Sequence, residues 1–422
     1  MFDGEPKGIE NLAQQTSKRL HILLVSDVSI SDVIGGAERV LFEQSTRLAQ
    51  RGHDVHILTR KLPGHRQNEE SIQGVSEWRY DVDVKGSISY IRSSRKNSRQ
   101  LFEYLHGKYN FDCINIHQPF SAIGVVQSPL SRKMKKIYTC LSFSFEEYIS
   151  RNVGPENFLA RPLYLVNVYA RKWIEKWILD KCDEIVVLSL FTQDKLWNAH
   201  NVTSEKISII PGGVDLKRFR PFGDKMEIRQ RLNIPQDRVV LLTVRNLVQR
   251  MGLENLVHSL RIIIDKAPDL FLVLGGSGPL KDSLAALMRQ MGLESHIRFT
   301  GFISEDELPD YYRMADFFVL PTRELEGFGL VTLEAMASGL PVMGTPIGGT
   351  QEILGKFDQH FLFKDSSADA MAALIFESYQ RIRENPKIWE EMSLRCQKFV
   401  ERNYSWEKNV GALENIFDRI TG

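Results

Sequence analysis

Short apolar runs alternate with amphipathic stretches from one end of the chain to the other. In the first half the runs are HILLVS (21–26), DVHILT (54–59), CINIH (113–117), KIYTC (136–140), EIVVLS (184–189) and ISII (207–210). In the second half they are VVLLTV (239–244), LFLVLG (270–275), IRFT (297–300), FFVL (317–320), PVMG (341–344) and HFLF (360–363). Most are continuous rather than alternating, the mark of parallel strands covered on both faces. Helical stretches lie between them, for example 37–51, 171–182, 253–266 and 280–291. Strand and helix alternating over such a length predict α/β domains with parallel sheets.

Twelve runs divide into two sets of six around Pro211-Gly-Gly-Val-Asp215 and Arg220-Pro-Phe-Gly-Asp224, where Gly and Pro interrupt regular structure. The division predicts two doubly wound, Rossmann-like domains facing a cleft, and argues against an eight-stranded barrel. The expected segments are a polar extension at 1–18, a first domain at 19–213, a second at 214–400 and a terminal segment at 401–422. In open sheets of this kind ligands bind beyond the C-terminal ends of the strands. Loops that follow strands are therefore where chemistry is sought.

Composition narrows the picture. A chain of 422 residues can bury two cores. Its formal net charge of +1 excludes a general attraction to nucleic acid. Between Arg92 and Lys136, however, nine Lys/Arg face two Asp/Glu, a local basic excess. The cysteines (Cys113, Cys140, Cys182 and Cys396) are scattered, without metal-ligand spacing, and read as thiols of a reducing compartment. No apolar run reaches eighteen residues, and the N-terminus lacks the apolar core of a signal peptide. A cytoplasmic protein is expected.

The most informative segment is Glu326-Gly-Phe-Gly-Leu-Val-Thr-Leu-Glu334. Two carboxylates eight positions apart flank a Gly-Phe-Gly turn that opens an apolar helix. Glu334 lies among Val331, Leu333, Ala335, Met336 and Ala337, a setting in which a carboxylate costs several kcal/mol unless a partner satisfies it. The preceding turn offers free N–H groups and the positive end of a helix dipole. Together these predict a ligand carrying both phosphate and hydroxyls, such as a nucleotide sugar. An ordinary dipole-favoured acid would explain Glu326 but not Glu334.

Other loops after strands carry weaker signals. Gly35-Gly36 precedes a helix and lets a backbone approach an anion, although an ordinary strand-to-helix loop reads the same way. His117 ends a strand, suited to a sugar hydroxyl or proton transfer, or else to a structural role. Arg245 and Arg250 suit a diphosphate, since guanidinium binds phosphate oxygens in pairs. Gly276 and Gly278, in Gly275-Gly-Ser-Gly278-Pro279, form a second loop of close approach. Tyr164, Tyr169, Arg171, Lys172, Trp173, Lys176 and Trp177 alternate basic with aromatic residues. They read first as a helix whose tryptophans pack inward, and second as contact with an anionic membrane face.

With these residues in view, the chain resembles the family 4 retaining glycosyltransferases, which have the two-domain GT-B fold. The resemblance covers all but the first eighteen residues. Its most specific element is the pair Glu326 and Glu334 within EGFGLVTLEAMASGLPV; GGAE (35–38), His117 in INIHQP, IIPGGVD (209–215), GGSGP (275–279) and GTPIGG (344–349) support it. It implies a nucleoside-diphosphate sugar as donor and no cofactor; no Asp-x-Asp metal motif is read in the chain, so Arg residues and helix-end N–H groups are expected to stabilise the leaving diphosphate without a metal. Glu334 would hold the ribose and Glu326 the donor sugar, with backbone groups of Phe328, Gly329, Leu330 and Val331 on sugar or phosphate. Gly36 would approach the diphosphate from the opposite domain, His117 would sit near the reacting centre, and the last helix would cross back onto the first domain.

Two positions depart from the pattern. The basic pair that usually neutralises the diphosphate falls on Asn246 and Met251, so Arg245 and Arg250, each one residue away, are expected to supply the charge. Cys140 stands where many relatives have a histidine. The resulting expectation is a metal-independent retaining hexosyltransferase acting on a glycan, lipid-linked or small-molecule acceptor, cytoplasmic or peripheral at the inner membrane face. A sugar-nucleotide epimerase and a non-catalytic nucleotide-binding protein are the alternatives.

Overall fold

The computed structural model describes residues 18–31, 33, 35–152 and 161–422. The expected polar extension lies, except for Lys18, outside them. Eight strands form the first sheet: β1 (His21–Val25), β2 (Asp54–Arg60), β3 (Glu69–Ile72), β4 (Val75–Tyr80), β5 (Cys113–Ile116), β6 (Lys135–Cys140), β7 (Glu184–Val187) and β8 (Ile207–Ile209). Their order is β3-β4-β2-β1-β5-β6-β7-β8. All neighbours run parallel except the β3–β4 hairpin. The second sheet holds β9 (Val239–Val244), β10 (Leu270–Gly275), β11 (Ile297–Gly301), β12 (Phe317–Leu320) and β13 (Val342–Gly344), all parallel, in the order β11-β10-β9-β12-β13.

Continuous apolar strands are what a sheet sandwiched between helices requires. In β1, Ile22 and Leu24 join the core on one face, while Leu23 and Val25 join the core on the other. In β9, Val239 and Leu241 divide from Val240 and Leu242 in the same way. Each such side chain contributes roughly 1.5–3 kcal/mol on burial. The strand order reverses direction between β1 and β5 in one sheet and between β9 and β12 in the other. Those two switch points open the crevices where ligands bind.

The last helix, Trp406–Thr421, returns to the first domain. Val410, Leu413, Ile416 and Phe417 enter the core beneath β1. Asn409 Oδ1 accepts from Gln44 Nε2 at 3.0 Å, and His53 Nε2 lies 2.9 Å from Glu414 Oε1. The chain crosses between the sheets twice at one place, where Val214 N donates to Tyr404 O at 3.0 Å. Gly213 is required there: a Cβ would lie 2.4 Å from Trp406 N.

Three sequence-based expectations need correction. The polar segment 69–80 forms β3 and β4, because Arg79 Nε neutralises the buried Glu77 at 2.6 Å and lets a charged run lie in the sheet. HFLF at 360–363 is not a strand. It is a 3-10 turn, Gln359–Phe361, with one bridge between Gly344 and Leu362, and its phenylalanines are buried all the same. On the helix Arg161–Leu179, Ile174, Ile178 and Leu179 face inward, whereas Trp173 is 67% exposed and stacks on Trp177 at 6.5 Å.

Candidate functional site

The crevice of the second sheet is built from the loops after β9 and β12. Arg245 follows β9 directly, and Glu326 sits in the loop before the helix Leu330–Ala337. Both are nearly buried and form an ion pair. Thr322 Oγ1 completes the triad, donating to Glu326 Oε2 at 3.1 Å and accepting from Arg245 Nη2 at 3.2 Å. The Arg245 guanidinium also lies on Met251, with Nη2 2.9 Å from its sulfur. Its charge therefore lies beside Met251. Arg250 approaches from the other side, Nη1 donating to Leu325 O at 3.2 Å.

Glu334 occupies the second turn of the helix and is 7% exposed. Its Oε2 accepts from the Tyr312 hydroxyl at 2.9 Å. Burial, followed by the Glu334 charge, raises the Tyr312 phenol well above its usual value, so it stays protonated and acts as a donor. Behind the turn, Gly349 N donates to Glu326 O at 3.0 Å. Gly348 has φ +58° and would place a Cβ 1.9 Å from the same oxygen. The loop Gly344–Gly349 thus clamps the Glu326 backbone.

A cavity of about 350 Å3 brings most of the predicted residues together. Gly35 and Gly36 line it from the first domain. Arg245, Arg250, Gly276, Glu326, Phe328, Gly329, Leu330, Val331 and Glu334 line it from the second. Gly36 stands opposite Leu330, whose Cδ1 would be 3.8 Å from an added Cβ. Two predicted residues are not among the lining. Gly278 backs the neighbouring loop, where a Cβ would lie 2.5 Å from Leu247 O. His117 follows β5 at the first sheet's own switch point, 2% exposed, with no hydrogen-bond partner for either ring nitrogen among the described residues. Burial holds its pKa down at about 3, so the ring is neutral.

Sequence reasoning missed Tyr312, Thr322 and a bridge across the cleft mouth. There, Glu305 receives Arg39 from the helix Gly36–Gln50 and Arg218 Nη1 at 2.6 Å. Nothing in the local pattern marks these residues; long-range folding alone pairs them. An Asp-x-Asp triplet does occur, at Asp81-Val-Asp83, but both acids are exposed after β4, and Asp83 Oδ1 accepts from Lys85 N.

Comparison with known proteins places this geometry. Residues 34–218 match the model described as Glycosyltransferase Family 4, and residues 224–390 match Glycosyl transferases group 1. The chain belongs to the family 4 glycosyltransferases. Like other members it has the GT-B architecture. Sucrose-phosphate synthase from Thermosynechococcus elongatus superposes with a TM-score of 0.77 at 23% identity, covering 95% of this chain and 99% of that one. Anabaena Alr3699/HepE in complex with UDP and glucose superposes with 0.75 at 16% identity, covering 95% and 100%. Among relatives in sequence, the D-inositol 3-phosphate glycosyltransferase of Corynebacterium glutamicum is 26% identical over 91% of each chain. A GDP-mannose-dependent alpha-(1-6)-phosphatidylinositol monomannoside mannosyltransferase of Mycobacterium tuberculosis is 31% identical over 47% of this chain and 53% of its own. The chain spans about half the length of that first relative in the match. No helix among the described residues is long and apolar enough to cross a membrane.

Proposed function

We propose that the chain is a retaining, metal-independent hexosyltransferase that uses a nucleoside-diphosphate sugar and a glycan, lipid-linked or small-molecule acceptor. One observation carries this reading: Glu326 and Glu334 line the same interdomain cavity, each fixed through Oε2 by a buried neighbour. Glu334 Oε1 suits the vicinal hydroxyls of a ribose, and Glu326 Oε1 those of the donor sugar. Arg245, Arg250 and the N–H groups opening the helix Leu330–Ala337 meet the diphosphate charge in place of a metal. During transfer the bond from the anomeric carbon to the diphosphate oxygen breaks. The acceptor oxygen bonds to the same face of the sugar, and its proton passes to the leaving phosphate oxygen. No protein nucleophile is needed, and His117 and Glu326 act as positioning groups.

The relatives point the same way: HepE was solved with UDP and glucose, and several curated relatives are named as glycosyl- or mannosyltransferases. The reading extends to a cytoplasmic protein touching an anionic bilayer. On the helix Arg161–Leu179, exposed Leu165, Val166, Tyr169 and Trp173 share a side with Arg161, Lys172 and Lys176. Sedimentation with anionic but not zwitterionic vesicles would test that contact. The activity itself is tested by thermal shifts with UDP-, GDP- and ADP-sugars, followed by NMR of the product with the stabilising donor. A glycoside with the donor's anomeric configuration is expected. Inversion, an epimerised nucleotide sugar, or binding without turnover would overturn the reading.

A further inference from the structure

The corner that follows β7 and opens the helix Leu190–His200 belongs to the first domain, yet the second domain completes its hydrogen bonds. The first N–H groups of a helix have no partner within the helix itself. Here Leu190 N and Phe191 N donate to Glu352 Oε2 and Oε1 at 3.1 and 2.7 Å. Glu352 lies across the domain boundary, on the helix Gly348–Phe357. The next group, Thr192 N, donates to Ser189 Oγ at 3.1 Å, so Ser189 caps its own helix.

A cap needs only the acceptor side of a hydroxyl, and the donor side of this one has another target. Ser189 Oγ donates to Gly327 O at 2.6 Å, and Thr192 Oγ1 donates to the same oxygen at 3.4 Å. Ser189 and Thr192 are both buried. Gly327 follows Glu326 directly, and the carbonyl before it, Glu326 O, accepts from Gly349 N at 3.0 Å. Two consecutive carbonyls of the donor loop are thus gripped from two sides. One is held by the helix that carries Glu352, and the other by the helix that Glu352 caps. Neither flank has slack: a Cβ on Gly349 would lie 2.3 Å from Phe328 O, and one on Gly212 would lie 2.7 Å from the Phe328 ring. Hydrogen bonds to a carboxylate are the stronger kind, so Glu352 fixes where Ser189 stands relative to Gly327.

We propose that Ser189 is a positioning residue for Glu326. Its hydroxyl holds the backbone from Glu326 to Phe328 in the working geometry only while the two domains are together, and Glu352 sets that alignment. Glu326 is then placed on the donor sugar by closure itself rather than by the second domain alone. This role rests on the glycosyltransferase reading for what Glu326 holds.

The test uses the full chain and two independent readouts. Hydrogen–deuterium exchange of the ligand-free protein requires no turnover. Ser189→Ala, in the first domain, should speed exchange of the segment 326–331 in the second about tenfold. Glu352→Gln leaves one acceptor oxygen for two N–H groups, and should speed exchange of the segment 188–193 by a similar factor. Exchange across β1 and β9 should keep its wild-type rate in both variants. Turnover is then followed with whichever of UDP-glucose, GDP-mannose and ADP-glucose the wild type consumes. Ser189→Ala should lower kcat about tenfold and keep KM and the affinity for the matching nucleoside diphosphate within about twofold. Ser189→Thr, which retains a hydroxyl, should recover most of the lost kcat. Wild-type exchange in both segments, or nucleotide affinity falling in step with kcat, overturns the proposal. Coupled exchange in a wild type that consumes no nucleotide sugar strikes the glycosyltransferase reading and leaves the coupling between the domains standing.

Discussion

Glu334 shows how a costly residue is accommodated. A carboxylate 7% exposed on an apolar helix is tolerated because Tyr312 donates to one oxygen. Removing a hydrogen bond to a charged group costs about 1.5–3 kcal/mol. Tyr312→Phe is therefore expected to weaken donor binding about tenfold by calorimetry, with the fold's melting temperature lowered only modestly. Glu334→Ala should weaken nucleotide binding further, whereas Glu326→Ala should abolish transfer and leave nucleotide binding nearly intact. His117 offers a separate readout through pH. Folded, it stays neutral down to about pH 3, whereas an unfolded histidine protonates near pH 6.5. Below that value the unfolded chain binds the extra proton, so the stability tied to His117 is complete above it and is lost as pH falls toward 3. In urea titrations, the wild type should lose more of its midpoint than His117→Gln between about pH 7 and pH 4.5. Equal losses would show that the ring is not held neutral.

At the scale of elements, what the sequence made legible follows from local pattern, and what it hid follows from distant partners. Continuous runs such as VVLLTV and LFLVLG read as buried strands, and they are β9 and β10. VSEWRY could not be recognised as β4, because its legitimacy in the sheet depends on Glu77 pairing with Arg79 and accepting from Ser29 Oγ at 2.6 Å. HFLF misled because Phe361 and Phe363 are as buried in a turn as they would be in a strand. Glu334 stood out because an acid inside an apolar helix has no bland local explanation, and Glu326 stood out only through its spacing from it. Tyr312 and Thr322 had no such contradiction to betray them. The Gly344–Gly349 loop shows how an element without chemistry of its own holds the site. An alanine at 348 would need φ near +58° and would meet Glu326 O. The backbone strain costs on the order of 1 kcal/mol, and relieving the contact must displace Glu326. Gly348→Ala should therefore reduce turnover by more than tenfold and lower the melting temperature as well. A variant with normal activity and a large drop in melting temperature would contradict that view of the loop.

For the whole molecule, the ties between domains divide by chemistry. Beside the cleft, Ser189 Oγ donates to Gly327 O at 2.6 Å, and Glu352 Oε1 accepts from Phe191 N at 2.7 Å. At the double crossing, close backbone packing around Gly213 leaves little room to slide. The bridge of Arg39 and Arg218 to Glu305 is different, because it is ionic, spans the mouth of the cavity and has a carboxylate 39% exposed. Such pairs contribute on the order of 1 kcal/mol at most, and salt screens them. That is still enough to change the ratio of closed to open molecules about fivefold. Closure matters here because a wet cleft would let water compete with the acceptor for the donor sugar. Glu305→Gln should accordingly raise donor hydrolysis relative to transfer by twofold to fivefold and increase the radius of gyration of the donor-bound protein in solution scattering. High salt, about 1 M, should push the wild type toward the same ratio and leave the variant almost unmoved. A variant that kept the wild-type ratio and its salt dependence would show that the bridge decorates the cleft without helping to shut it.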